Sequence, residues 1–317
     1  MSDSVQLGSI ELFCKAAELE SFSRAAEALG LTPASVSRSI KRLEGRLGVR
    51  LFSRTTRNVR LTSEGELYWH ECRQALEQIA AAERALAGNQ KLPSGVLRIS
   101  AGTLYANYRL LPLLRHFTSA YPQVELELSL SNRVVDIVDE GYDLAVRVGP
   151  PQDSRLIAQK LEDATVGIFA TPDYIARRGR PATLDDLTDH DCLQFILPTT
   201  GRPMPWILRA PDGTDIDYTV RSRLRMLDDA FGCVSWGHAG GGLFQTYHFI
   251  AGPALARGEL VEVLEDYAGR SRQFSLTYPQ NRHLSARVRA FVDFMLQQLR
   301  AADRDGTSAQ PSAHSAA

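Results

Sequence analysis

The chain has few cysteines, and they lie far apart. Cys14, Cys72, Cys192 and Cys233 form no CxxC pair and no Cys/His cluster. That spacing argues against a structural zinc site or a disulfide framework and fits a reducing, cytoplasmic setting. Long apolar runs are also missing. No stretch approaches the roughly 18 residues needed to span a bilayer. Residues 1–20 carry Asp3, Glu11, Lys15, Glu18 and Glu20 where a signal peptide keeps an apolar core. Catalytic signatures are absent: there is no HExxH, GxSxG, P-loop or dinucleotide fingerprint. The run GHAGGG (237–242) lacks the lysine or nucleophile that a phosphate loop or oxyanion hole would need, and a turn between helix and strand accounts for it. No enzymatic activity, metal or cofactor is expected. Net charge is nearly absent too, at −1 over 317 residues.

The near-neutral total hides an asymmetry. Arg38, Lys41, Arg42, Arg46, Arg50, Arg54, Arg57 and Arg60 face a single acid, Glu44, between residues 38 and 60. A local excess of this kind attracts polyanions whatever the total. The segment SFSRAAEALGLTPASVSRSI places Ala26, Gly30 and Val36 at the spacing of a helix-turn-helix. Ala26 lets two helices approach, Gly30 permits the sharp turn, and Leu29 and Leu31 are expected to fill the corner. Thr32 suits an N-cap and Pro33 a first helical position. Val36, Ile40, Leu43 and Leu47 recur at i, i+4, i+7, i+11 and predict the buried stripe of the second helix.

The opposite face carries small, hydroxylated and cationic residues, which suit entry into a major groove. Arg38 suits a guanine edge or a phosphate, and Ser37 bonds to either. Arg54 to Leu61 read as a basic β-hairpin, a wing whose arginines reach phosphate or minor groove. The candidate DNA-contacting residues are Ser23, Thr32, Pro33, Ala34, Ser35, Ser37, Arg38, Lys41 and Arg42, with Arg54, Thr55 and Arg57 of the wing. Ser63 and Glu66 then have capping-box spacing, with Thr62 as the alternative cap. A helix to about Gly88 would be about 40 Å long. Leu67, Cys72, Leu76, Ile79 and Leu86 outnumber what one small domain buries, so pairing with a second copy is expected. A dimer matches palindromic DNA read in half-sites about 34 Å apart.

Residues 9 to 65 resemble the N-terminal domain of LysR-type transcriptional regulators, carried by SFSRAAEALGLTPASVSRSIKRLEGRLGVRLFSRTTRNVRLTSEG. GYDLAVRVG (141–149), LDD (227–229) with GGGLF (240–244), GELVEVL (258–264) and RHLSARVRAFVDFM (282–295) resemble that family's sensor domain. The resemblance implies a multidomain chain: a winged helix-turn-helix, a long linker helix and a two-lobed α/β effector domain of periplasmic-binding-protein type. It also implies dimers pairing into tetramers on double-stranded DNA, with RNA polymerase as a further partner and no membrane. One departure is GGGLFQTYHFIAGPAL, where the family often has an apolar-Pro step after the strand near 244.

The expected division is 1–62 for DNA binding, 63–92 for the linker helix, 93–300 for the effector domain and 301–317 for a disordered tail. Lobe I takes about 93–164 and 270–300, lobe II about 165–269. NYRLLPLLRHFTSAYP and RVVDIVDEG read as helices, and VELELSLS and DLAVRVG as strands of a largely parallel sheet. The cleft at the strand ends is the expected site of a small effector, anionic in character. Ser100, Gly102 and Thr103 offer N–H groups and hydroxyls; Asn132, Arg133 and Arg147 end strands; Phe195 offers a ring; and Asp228 is read as a helix cap. Two alternatives remain: a solute-binding receptor, which the basic N-terminal segment disfavours, and thiol redox sensing. Cys192 and Cys233 have no flanking cation to lower a thiol pKa.

Overall fold

A computed structural model describes residues 7–54, 59–86, 93–151, 153–280 and 284–304. The chain forms two compact units, Met1–Leu92 with Val138–Gly141, and Pro93–Ile137 with Tyr142–Ala317.

The first unit contains α1 (Leu7–Glu18), α2 (Phe22–Ala28), α3 (Pro33–Leu47), a hairpin of β1 (Phe52–Arg54) and β2 (Val59–Leu61), and α4 (Ser63–Leu86). Local rules set most of the boundaries. Ser21 and Thr32 cap α2 and α3, each accepting an N–H three residues on at 3.3 Å. Gly30, at φ +66°, makes the turn, and Gly48, at φ +73°, ends α3. The apolar stripes of the helices meet in one core of Phe13, Ala16, Ala26, Val36, Ile40, Leu43, Leu51 and Phe52. Each fully buried large side chain there contributes about 2 kcal/mol of transfer free energy.

Three expected core leucines lie outside it: Leu29, Leu31 and Leu47 are 40%, 45% and 37% exposed. Periodicity gives Leu47 the right face, but burial also needs a facing neighbour, and Leu43, Leu51 and Phe52 complete the packing there. Phe22 closes the corner instead, edge-on to Phe52 at 5.2 Å. The start of α4 follows the alternative cap. Thr62 Oγ1 accepts from Gly65 N at 3.0 Å, so Thr62 and not Ser63 caps the helix. Gly65 packs so closely that a Cβ there would lie 2.0 Å from Leu51 O. Along α4, Tyr68, Trp69, Cys72 and Leu76 join the core, whereas Leu67 and Ile79 stay 55% and 38% exposed.

The second unit begins β3 (Gly95–Ala101), α5 (Thr103–Tyr105), a π-helical turn (Ala106–Leu110), α6 (Leu111–Ala120), β4 (Val124–Leu130) and β5 (Leu144–Val148). It continues with β6 (Leu156–Ala170), α7 (Pro172–Arg178), β7 (Leu193–Ile196), a hairpin of β8 (Trp206–Arg209) and β9 (Asp215–Tyr218), β10 (Leu224–Leu227) and α8 (Ala230–His238). It ends with β11 (Phe244–Tyr247), α9 (His248–Ala256), β12 (Val261–Val263), β13 (Ser271–Pro279) and α10 (Ala286–Arg304). The main sheet has the order β11-β6-β13-β5-β3-β4, with β12 also on β6. β3 is parallel to both β4 and β5; β13 is antiparallel to β5 and β6. β6 crosses both lobes: its first part pairs with β13 and its last residues with β11 and β12.

The expected helix over 133–141 is irregular, with turns only over 137–141. Val135 and Ile137 are buried while Val134 is 60% exposed, a period of two that β-branched residues favour over helix. The expected tail is corrected at its start, because α10 continues to Arg304; residues 305–317 lie outside the described residues. The lobe I core (Leu97, Ile99, Tyr105, Phe117, Val146, Phe291, Met295) runs on through Phe274 to Tyr247 and Ile250 of lobe II.

Candidate DNA-binding face and inter-lobe cleft

On α3, Pro33, Ala34, Arg38, Lys41 and Arg42 are exposed and Ser35 and Ser37 half-buried. Ser23 is exposed on α2. Among the described residues, no carboxylate pairs with Arg38, Lys41 or Arg42. Glu44, the lone acid of the run, turns inward: its Oε1 accepts from Leu51 N and Phe52 N at 2.9 and 3.2 Å and so fixes the entry to the wing. Thr32 and Ser35 are partly committed to each other, since Ser35 Oγ donates to Thr32 O at 2.7 Å. Arg54 ends β1 opposite Val59. Thr55 and Arg57 lie outside the described residues.

In the second unit, seven of the eight expected cleft residues fall into two adjoining groups, six of them at the carboxyl ends of β3, β4 and β5 and Asp228 just after β10. In the first, Arg147 Nη2 donates to Ser100 Oγ at 2.7 Å and to Arg133 O at 3.1 Å, and Nη1 donates to Val146 O. Ser100 is fully buried. In the second, Asn132 Oδ1 accepts from Thr103 N at 3.1 Å, and the Asn132 amide and Thr103 hydroxyl also touch, at 3.0 Å. Gly102 lies against this pair: a Cβ there would make an ordinary van der Waals contact, 3.6 Å from Asn132 Oδ1. Asn132 Nδ2 then donates to Asp228 O at 2.9 Å, which joins lobe I to lobe II.

The eighth residue, Phe195, packs against the core of Phe169, Leu193 and Phe244 instead of joining either group. Asp228 is not the cap of α8. Its neighbour Asp229 is, accepting from Phe231 N at 2.9 Å, while Asp228 has a φ of +62°. The N–H of Thr103 is not an open donor but is held by Asn132, a pairing across 29 residues that no local pattern announces, and the N–H of Gly102 donates to Val146 O.

The departure at Gln245 also has a structural use. Its amide donates to Ile207 O and accepts from Ile207 N, both at 3.0 Å, and so ties β8 to β11 in place of a backbone pair. Tyr247 is buried against Phe249, the rings stacked at 5.2 Å. Cys192 and Cys233 are buried, and burial pushes both thiols up to about 12. Neutral thiols that donate to Leu187 O and Asp229 O make poor nucleophiles. Among the described residues, no group of His, Cys, Asp and Glu is placed to hold a metal, and no helix is long and apolar enough to cross a membrane.

Comparison with known proteins matches both units. Residues 7–66 match the bacterial regulatory helix-turn-helix proteins of the lysR family, and residues 90–300 match the LysR substrate binding domain. The chain is 35% identical over 290 residues to the uncharacterized HTH-type transcriptional regulator YhjC of Escherichia coli (strain K12), covering 92% of this chain and 96% of that one. The solved structure of CrgA, a LysR-type transcriptional regulator from Neisseria meningitidis, is 30% identical with a TM-score of 0.59, covering 93% of this chain and 99% of that one. The full-length virulence activator AphB of Vibrio cholerae is 27% identical with a TM-score of 0.58, covering 92% and 99%.

Proposed function

The chain belongs to the LysR family of DNA-binding transcriptional regulators, and from that premise we propose how its two units act. The first reads a dyad in double-stranded DNA. α3 enters the major groove with Ala34, Ser37 and Arg38 toward base edges, Lys41 and Arg42 toward phosphates, and the wing alongside. The observation that carries this reading is the exposed face of α3, whose cations have no carboxylate partner among the described residues while the one local acid is turned inward.

The second unit takes a small anion at Arg147, Ser100 and Thr103. Arg147 donates to Ser100 Oγ and to Arg133 O, and a guanidinium beside a buried hydroxyl is a donor set that suits a carboxylate. Ligand binding shifts the balance between lobe arrangements to the extent that it prefers one of them. Self-association is supported by the exposed apolar side chains of α4 and by two unlike edge strands. β4 exposes Glu125 and Glu127, and β10 exposes Arg225 and Leu227. In this reading dimers pair into tetramers on DNA, RNA polymerase is the downstream partner, the protein works in the cytoplasm, and no catalytic step is involved.

The test is a footprint of the purified protein on DNA upstream of its own gene at two salt concentrations. A protected dyad that weakens steeply with salt is expected, because phosphate contacts release counterions. A folded Arg38→Ala protein that gives the normal footprint would remove α3 from the reading role.

A further inference from the structure

The contact between Asn132 and Asp228 has features that helix capping does not require. The two residues lie 96 positions apart and belong to different lobes. The Asn132 amide is divided between them: its oxygen accepts from Thr103 N in lobe I, and its nitrogen donates to Asp228 O in lobe II. The accepting carbonyl comes from a strained residue. Asp228 has a φ of +62°, and Asp229 N closes a three-residue turn onto Leu227 O at 2.6 Å across it. A γ-turn with positive φ at a non-glycine centre is rare and persists only where its surroundings hold it. Beside it the lobes meet a second time, where Tyr108 stacks on Phe231 at 6.2 Å and 28°. Phe231 is in the first turn of α8 and remains 40% exposed.

We propose that Asn132 and the turn at Asp228 form a latch that holds the two lobes together at the mouth of the cleft. Near the hinge strands the lobes share an apolar core through Tyr105, Tyr247 and Phe274, which fixes that end. At the mouth the Asn132–Asp228 bond is joined by ring contacts of Tyr108 with Phe231 and Phe249. Such a bond is weak in net terms, because water competes for both groups when the cleft opens, and weak bonds suit a reversible closure. The latch also bears on the anion reading proposed above. Asn132 Oδ1 occupies the donors of Thr103 that a carboxylate would use, so an entering ligand that takes them must displace the amide, and that frees lobe II. Asn132 is thus a tethered stand-in for the ligand, and its grip on Asp228 sets how readily the lobes part.

Asn132→Asp separates the latch from the local cap. A carboxylate still accepts from Thr103 N, but it has no proton to give Asp228 O and repels it. Asn132→Ala removes both contacts. Hydrogen exchange of the full chain without any ligand reads the difference. Both variants are expected to speed exchange about tenfold in a peptide covering residues 226–232, whereas only Asn132→Ala speeds it at Thr103. If exchange over 226–232 stays at the wild-type rate in Asn132→Asp while that protein is folded, the latch is refuted and Asn132 is a cap for α5 alone. Thermal shift of the wild-type chain against a panel of small carboxylates tests the anion site separately. Its failure leaves the exchange result standing, and a silent exchange result leaves the anion site standing.

Discussion

The two units put their arginines to opposite uses. On α3, Arg38 and Arg42 stand exposed with Lys41, and no carboxylate among the described residues pairs with any of them. In the second unit three arginines are drawn inward and held, although others, Arg225 among them, stay exposed. Arg287, only 8% exposed at its side chain, meets Asp143 at 3.1 Å; Arg272 donates to Pro205 O at 2.9 Å; Arg147 donates to Ser100 Oγ at 2.7 Å. The first arrangement leaves charge available to a polyanion and adds little to stability. The second ties strand ends and helices together. The lesson is that cation count says little about function, and that the presence or absence of an internal partner says more.

The largest effect is expected where a held arginine is removed. Asp143 also accepts from Arg98 N at 2.9 Å, so it anchors the start of β5 to β3 and to α10 at once. Arg287→Ala leaves that half-buried carboxylate with Arg98 N but without its guanidinium, and the loss is expected at about 3 kcal/mol, the lower end for breaking a buried pair from one side. Denaturant unfolding of the second unit should register that loss while the DNA-binding unit keeps its own transition. A variant as stable as the wild type would erase the contrast. Next comes a steric test of the first unit, whose stability rests on packing and not on charge. A Cβ at Gly65 would lie 2.0 Å from Leu51 O, a backbone atom that cannot swing aside. Gly65→Ala is expected to cost about 1–3 kcal/mol, the usual range for overpacking, read as an earlier melt of the first unit. Arg38→Ala is the complement. A lost base or phosphate contact of about 1–3 kcal/mol weakens binding to a specific site roughly 10- to 100-fold, with an unchanged melting temperature because the side chain supports nothing internal. A fall in stability equal to the fall in binding would place Arg38 with the held arginines.

The sequence announced the first unit more fully than the second, for a physical reason. Capping at Thr32, the turn at Gly30 and the stripe Val36, Ile40, Leu43 depend on neighbours within a few residues. Where burial depended on a facing element, the reading overreached, at Leu31 in the corner and at Leu47 in the periodic stripe. The cleft residues were legible as strand ends, because Ser100, Asn132 and Arg147 follow apolar alternation. Their partners were not. Asn132 meets Asp228 across 96 residues, and nothing local distinguishes Asp228 from Asp229 as the cap of α8; a positive φ at Asp228 settles it for Asp229. Gln245 read as a misfit in a family pattern, and its pairing with Ile207 is visible only once β8 is brought alongside β11. The segment 133–141 has the composition of an amphipathic helix, yet Val135 and Ile137 bury with period two.

The smallest expected effect sharpens the comparison through pH. His248 Nε2 sits 3.0 and 3.1 Å from the two oxygens of Glu262, both side chains under one-fifth exposed. Burial works against the imidazolium, but the hydrogen bond and charge of Glu262 more than offset it, and the pKa is raised above the ordinary 6.5. A raised folded-state pKa means that the folded protein holds the proton more tightly than the unfolded chain. The resulting stabilisation is complete below pH 6.5 and disappears as pH rises through the raised value. His248→Gln keeps a neutral donor for Glu262 and removes the titration. Its melting temperature should therefore fall furthest below wild type under acid conditions, and the gap should narrow as the imidazole deprotonates. Measured in parallel, Arg287→Ala should hold a constant deficit across the same pH range, because a guanidinium does not titrate there. A gap for His248→Gln that stays equally constant would mean that this pair, like Arg287 with Asp143, acts through geometry and not through the proton.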